Sequence, residues 1–375
     1  MAAIARHVAR VAVGLAFVLT LVFALGLEPA THAQGTTTLK VQAAWPGTSM
    51  IWENSKFFAE RVGKLSGGRL KIEMLASGTV VPPFESLDAT ARGVLDGAHA
   101  APAYWVGKNK AAALFGPAPG GPFGMDMLDY LGWLYQGGGL ELYREFYRDV
   151  LKSDVVPLPL TAVSNQVLGW FKKPIRSLAD LRGVKCRQTG ITAEVFTELG
   201  MRTVNMAGGE ILPAAERGVI ECAEWVGPAE DMKLGFHQVF KHYYMPSLHE
   251  PAVVVELLIN TKVWEKLAPD FQEIIKAAAL EATINSQIAL NKANAGALKE
   301  LREKHNVQIG RTPDDILIGM LKAWDKIAQQ EADRNPFFKK VYESQRRWAA
   351  DVVTSRRTVH PSYELAADYY WPPQK

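Results

Sequence analysis

The chain has little cysteine: Cys186 and Cys222 are the only two in 375 residues, and neither has CxxC spacing. It also lacks the HxxxH and HExxH patterns of zinc enzymes, and no GxSxG, P-loop or GxGxxG motif appears. Nucleophile-elbow, nucleotide and zinc chemistries therefore have no motif to rest on. Charge of one sign is missing too, with 42 basic against 39 acidic residues. A balance that near neutral gives no electrostatic footprint for nucleic acid. After the first thirty residues no apolar run reaches membrane-spanning length. The composition excludes a membrane transporter, a DNA binder and a disordered adaptor.

What is present begins with an export signal. Arg6 and Arg10 give a basic start, Val11 to Leu27 is uncharged, and Thr31-His32-Ala33 offers a small-x-small cleavage site. Residues 1–33 read as a secretory signal peptide cleaved near Ala33. An uncleaved anchor is the alternative, although the run is short for a span. Without the signal, 342 residues remain, with 40 basic and 38 acidic side chains. That length suits two domains, and at 48% apolar with 10 Trp the chain can bury a large core. In an oxidising compartment the two cysteines can pair. Two small buried thiols are the commoner outcome, and pairing stays open.

Strand-like and helical runs alternate from Leu39 onward, the rhythm of parallel βαβ units. Leu39–Ala44, Leu70–Leu75 and Gly97–Ala101 read as strands, with helices over Ile51–Leu65 and Glu85–Gly93 between them. Phe115–Gly124 is a Gly/Pro cluster without regular structure, Met127–Leu151 is largely helical, and Gly137-Gly138-Gly139 reads as a flexible connection. A second run follows, with strands at Val155–Leu160, Gln166–Phe171, Val184–Arg187, Arg202–Met206 and Val219–Trp225. Val253–Asn260 is an apolar strand that returns to the first domain. The remainder is helical, and Asp314–Val353 forms a helix of roughly 40 residues that Pro336 kinks or breaks. A helix that long needs cover from both domains or from another subunit.

Ligands of open α/β sheets bind outside the carboxyl ends of the strands, and the groups at those ends suit a small carboxylic acid. Arg187 ends Lys-Cys-Arg, where its guanidinium can take a carboxylate with two parallel hydrogen bonds; the alternative is a surface arginine. Ser164-Asn165-Gln166 supplies amides, or simply a turn. Glu224-Trp225 and His249-Glu250 end or begin other segments, and Tyr104-Trp105 offers an aromatic wall. If Arg187 holds an anion, Glu224 and Glu250 in the same cleft would repel it. A hard cation bound by carboxylate and carbonyl oxygens resolves the conflict, as does one Glu that faces solvent.

LADLRGVKCRQTG (178–190), ILPAAERGVIECAEW (211–225) and HEPAVVVELLINTKVWEKLAPDFQEII (249–275) together resemble the solute-binding proteins of TRAP (tripartite ATP-independent periplasmic) transporters. The resemblance covers nearly all of the chain after the signal. It implies an α/β, two-domain periplasmic-binding-protein-like fold with a cleft between two open sheets and long C-terminal helices. The expected division is 34–160 with 251–290 as the first domain and 161–250 with 291–312 as the second, leaving 313–375 as C-terminal helix and tail. Many members read GVIDGAE where this chain has GVIECAEW, and that ending resembles the branch that binds 2-oxo acids such as pyruvate, or lactate, through a metal ion.

By that resemblance Gln166, Glu224, the Trp225 carbonyl and Glu250 hold sodium or calcium, while Tyr104, Asn165, Arg187 and Trp225 touch the ligand. The implied partners are the TRAP membrane subunits in the periplasmic compartment, and a second copy of the chain through the C-terminal helix. Two other readings stand beside it: a secreted enzyme acting on a small carboxylic acid with Glu224 or Glu250 as general base, and a binding protein for an ATP-driven importer.

Overall fold

The apolar runs pair into two sheets whose strand ends converge on one cleft. The computed structural model describes residues 35–116, 118–163 and 165–372. The expected signal at 1–33 and its cleavage site at Ala33 lie outside the described residues, as do Pro117, Ser164 and the end of the tail at 373–375. In chain order the strands are β1 (Thr37–Ala43), β2 (Leu70–Leu75), β3 (Gly97–Ala100), β4 (Val155–Val163), β5 (Gly169–Phe171), β6 (Lys185–Arg187), β7 (Arg202–Val204), β8 (Cys222–Ala223), β9 (His242–Met245), β10 (Val253–Asn260) and β11 (Gln308–Arg311).

The first sheet runs β2-β1-β3-β10-β4 and the second β11-β9-β5-β8-β6-β7. Neither is purely parallel, as the helix–strand rhythm had suggested. β1 and β3 are parallel, but β10 enters between β3 and β4 antiparallel to both. All eight residues of β10 are buried, which is why it reads as a continuous apolar run rather than an alternation. β4 carries Pro157 and Pro159 and is an edge strand, where a missing N–H is tolerated. β9 and β11, four residues each, are too short to show a period and go unread in the sequence.

The helices close the faces. α1 (Met50–Leu65) is capped by Ser49, whose hydroxyl accepts the Ile51 N–H, and buries Ile51, Phe58 and Val62. Each such side chain contributes about 1.5–3 kcal/mol of burial. α2 (Pro228–Lys233) leaves the end of β8 and packs on α3 (Pro269–Glu303), which also lies on β4 and α1. α3 thus spans elements of both sheets. The long helix expected from Asp314 is two helices, α4 (Asp314–Arg334) and α5 (Pro336–Val359), broken where Asn335 leaves helical geometry and caps α5 by accepting the Phe338 N–H. Its cover comes first from its own chain: Phe338, Val341, Gln345 and Ala349 are buried, and the Trp348 indole donates to the Asp129 carbonyl. Only the last part, with α6 (Tyr363–Tyr370), has no buried residue. None of the described helices is long and apolar enough to cross a membrane.

One expectation fails for a local reason, and the open question of the cysteines is answered. The triple glycine is a built turn, not a flexible connection: Gly138 has φ 81°, and a Cβ at Gly139 would lie 2.7 Å from the Leu134 Cα. The cysteines are not free thiols. Cys186 and Cys222 stand opposite each other in the β6–β8 ladder, Cα–Cα 4.5 Å, and form a disulfide. Direct opposition on paired strands is what their sequence separation of 36 could not reveal. The bond closes a loop that favours the native state by about 3–4 kcal/mol in the chain-entropy account. Replacing both cysteines with alanine should lower the urea-unfolding free energy by that amount without changing the far-ultraviolet circular dichroism; an unchanged midpoint would refute it.

Candidate functional site

One cavity is lined from both sheets. Trp45 follows β1, Ala101 and Tyr104 follow β3, Val253 and Val255 open β10, and Val163 ends β4; across from them stand Arg187, Thr189, Glu224, Trp225 and Val226, after β6 and β8. Gln166 and Glu250 complete it on the crossing segments, tied by the Gln166 N–H donating to the Glu250 carbonyl at 3.1 Å. Tyr104, Gln166, Arg187, Glu224, Trp225 and Glu250 are therefore brought together as the sequence suggested. Asn165 is not: it is exposed and absent from the lining. Gln166, next to it in the chain, is buried and lines the cavity.

The electrostatics are unusual for buried surface. Arg187 and Glu224 are each 1% exposed and form an ion pair through Nη1 and Oε1. Nη1 also donates to the Glu224 carbonyl at 3.0 Å and Nε to the Met206 carbonyl at 3.2 Å, while the guanidinium lies over the Trp225 ring at 5.4 Å. Its Nη2 makes no hydrogen bond among the described residues, so the outer edge of the fork is open to an acceptor. Burial pushes the Glu224 carboxyl up to about 7 against the pull of Arg187, with Asp231 adding repulsion. Burial and the neighbouring Glu224 hold Glu250 well above the usual carboxylate range, opposed by Arg187, Thr192 and Gln166. The Tyr104 hydroxyl is pushed to about 12, chiefly by burial, and remains a donor.

Two carboxylates against one guanidinium leave an excess of buried negative potential, and the rest of the donor set points the same way. The Gln166 Oε1 is buried without a partner, as is the His249 Nε2. Ligand atoms of Glu224, His249 and Glu250 all lie within 4.8 Å of one another. Carboxylate and amide oxygens with unmet acceptor capacity fit a hard cation. In the sequence His249 stands beside Glu250 but suggests no role, because a lone histidine next to a glutamate carries no spacing signal. Burial lowers its ring to about 3, so it is neutral.

Three buried groups hold the walls. Asp231 accepts from the Val226 and Gly227 N–H groups, the Trp170 indole and the Tyr243 hydroxyl, at 3.1, 3.0, 2.8 and 2.7 Å, which fixes the turn that presents the Trp225 carbonyl. His99, fully buried, accepts the Trp45 indole N–H on Nδ1 at 3.1 Å, so its proton resides on Nε2, 3.2 Å from the Thr161 hydroxyl. Trp45 in turn meets Tyr104 and Trp225 at ring separations of 6.0 and 6.2 Å. Gly208 is the third: a Cβ there would meet the Trp225 ring at 2.5 Å.

Residues 41–334 match the DctP model, bacterial extracellular solute-binding protein, family 7. The chain belongs to that family. It is 33% identical over 325 residues, 87% of each chain, to the monocarboxylate 2-oxoacid-binding periplasmic protein of Nostoc sp.. A TRAP transporter solute-binding protein of Bordetella bronchiseptica, solved as a mixed-occupancy dimer with copurified calcium and picolinate in one site, is 30% identical, with 89% of this chain and 97% of that one covered at a TM-score of 0.83. A TRAP periplasmic solute-binding protein of Pseudoalteromonas atlantica, solved with sodium and pyruvate, is 28% identical, with 88% and 99% covered at 0.82. The two-domain fold with a cleft between two sheets and long C-terminal helices is that of these relatives.

In this DctP protein the fit of Gly208 under Trp225 is testable. Gly208→Ala should cost roughly 1–3 kcal/mol by overpacking and alter the tryptophan emission. Gly209→Ala, with nothing within 4 Å of the added carbon, should do neither. Equal behaviour of the two variants would refute the fit.

Proposed function

We propose that this DctP protein captures a small 2-oxo or 2-hydroxy monocarboxylate, of pyruvate or lactate size, together with a sodium or calcium ion, and delivers it to TRAP membrane subunits. The observation that carries the reading is Arg187, buried in the cavity with an unused Nη2 beside two carboxylates whose charge it cannot balance alone. The ligand's carboxylate takes the open edge of Arg187, Tyr104 donates its hydroxyl proton, and Trp45 and Trp225 close over the apolar part. Gln166, Glu224, the Trp225 carbonyl and Glu250 are the groups that would hold the cation, with His249 beside them. When bound, the ion supplies the positive charge that lets an anion enter between two glutamates. Asn165, facing solvent, is left out of the set.

The two lobes are assigned to 34–160 with 251–290 and to 161–250 with 291–312. Capture is closure of these lobes, and a ligand shifts the equilibrium by its preference for the closed state. We read the protein as a carrier and not an enzyme, since Glu250 is engaged by Thr192 and Gln166 and Glu224 by Arg187. Export through a signal at 1–33 places it in the periplasm. The exposed aromatic tail, with Tyr363, Tyr369, Tyr370 and Trp371 all at least 70% exposed, suits burial against a second copy.

Pyruvate or lactate should quench the tryptophan fluorescence of the mature protein, and Arg187→Ala should weaken binding about a hundredfold or more. Unchanged affinity in that variant would remove Arg187 from the site, and chemical alteration of the recovered acid would favour an enzyme. Dialysis against a chelator with sodium withheld should lower the affinity, and the ion whose return restores it is the one bound. Deleting residues 360–375 should turn a dimer into a monomer by light scattering while leaving binding intact; a monomeric full-length chain overturns the dimer.

A further inference from the structure

Behind the cavity wall lies a buried carboxylate with no part in the scheme above. Glu230 is on α2, which follows β8 of the second sheet, and it is fully buried. Two of its three donors come from the start of α1, which follows β1 of the first sheet. The Ser49 hydroxyl accepts the Ile51 N–H at 3.0 Å as the helix cap, so its own proton goes to the Glu230 Oε2 at 2.8 Å. The Met50 N–H donates to Oε1. The third donor comes from Glu230's own side: the Trp225 indole N–H, 3.2 Å from Oε2. Among the described residues no salt bridge to Glu230 is found, and the positive charge that acts on it is that of Lys233, on the same helix.

This arrangement has a direction. The first N–H groups of a helix have no intrahelical acceptor, and the helix dipole favours an anion at that end. While the cleft is closed, one carboxylate accepts the Met50 N–H and the Ser49 hydroxyl proton and also fixes the indole that forms the ligand wall. When the lobes part, α1 withdraws both of its donors, and Glu230 keeps only Trp225 and water. The carboxylate touches neither the ligand nor the cation, so it reaches them through the open–closed equilibrium and through the placement of the Trp225 indole.

We infer that Glu230 is a positioning residue that latches the closed cleft, joining the start of α1 to the Trp225 wall and so setting how long a captured solute is held. This rests on the solute-capture reading above. A less populated closed state lowers apparent affinity in proportion to its lost population, and because the latch breaks when the cleft reopens, the loss falls chiefly on release.

The test uses the mature full-length protein with Glu230→Gln, whose single amide oxygen can accept on one side only while its NH2 faces donors on the other, and Ser49→Ala, which deletes one donor. Stopped-flow tryptophan fluorescence with pyruvate should show release faster by about tenfold in Glu230→Gln and less in Ser49→Ala, with association within about twofold of wild type. The two changes together should fall short of their product. Small-angle scattering of the ligand-free proteins should give a larger radius of gyration for both variants than for wild type. Unchanged release and an unchanged radius in variants that remain folded by circular dichroism overturn the latch, and if Glu230→Gln does not fold, Ser49→Ala decides alone. If wild type binds neither pyruvate nor lactate, the capture reading falls, and the radius of the ligand-free variants still decides the latch.

Discussion

Two carboxylates and one guanidinium are held out of water at the junction of two sheets, and most of the site follows from that imbalance. A buried charge is tolerated only when paired and hydrogen-bonded, and Arg187 can pair fully with only one of Glu224 and Glu250. Burial pushes both acids upward, the repulsion of Glu224 adding to it at Glu250, and an amide oxygen beside them has no donor. An apolar solute would do nothing for such a cleft, and an anion alone would make it worse. An anion entering with a cation would supply both the missing positive charge and partners for the unmet acceptors.

Around this centre the chain spends structure on keeping the groups where they are. The disulfide joins β6 and β8 one residue before Arg187 and two before Glu224, so the ion pair is anchored to a covalent cross-strand link. Asp231 uses four donors to hold the turn after β8, and His99 orients Trp45 from beneath. None of these lines the cavity. Their work is to remove alternatives, which lowers the ordering cost that a ligand would otherwise meet on binding.

Legibility in the sequence followed distance along the chain. Arg187, Glu224 and Glu250 could be read because each ends or begins a recognisable run, and strand ends are where α/β sheets bind ligands. β10 could be read from its composition alone. Asn165 lies exposed beside the buried Gln166, and a run of amides does not reveal which of two neighbours lines a cavity. The cysteine pair, the Trp45–His99 contact and the hold of Ser49 on Glu230 join residues 36, 54 and 181 apart, and nothing local in the chain marks either partner. The long C-terminal helix was visible as a period, but its break and its partial burial against Asp129 depend on tertiary contacts.

The prolines of β4 have a consequence beyond their tolerance at an edge. Pro157 and Pro159 are two apart and so share one side of the strand; paired with β10 on the other, they leave the free side without N–H groups at both positions. A stray strand from an unfolded neighbour, or from another copy, finds acceptors there but no matching donors. At those two positions the margin of the first sheet resists growth into aggregates, and it does so independently of anything that happens in the cleft.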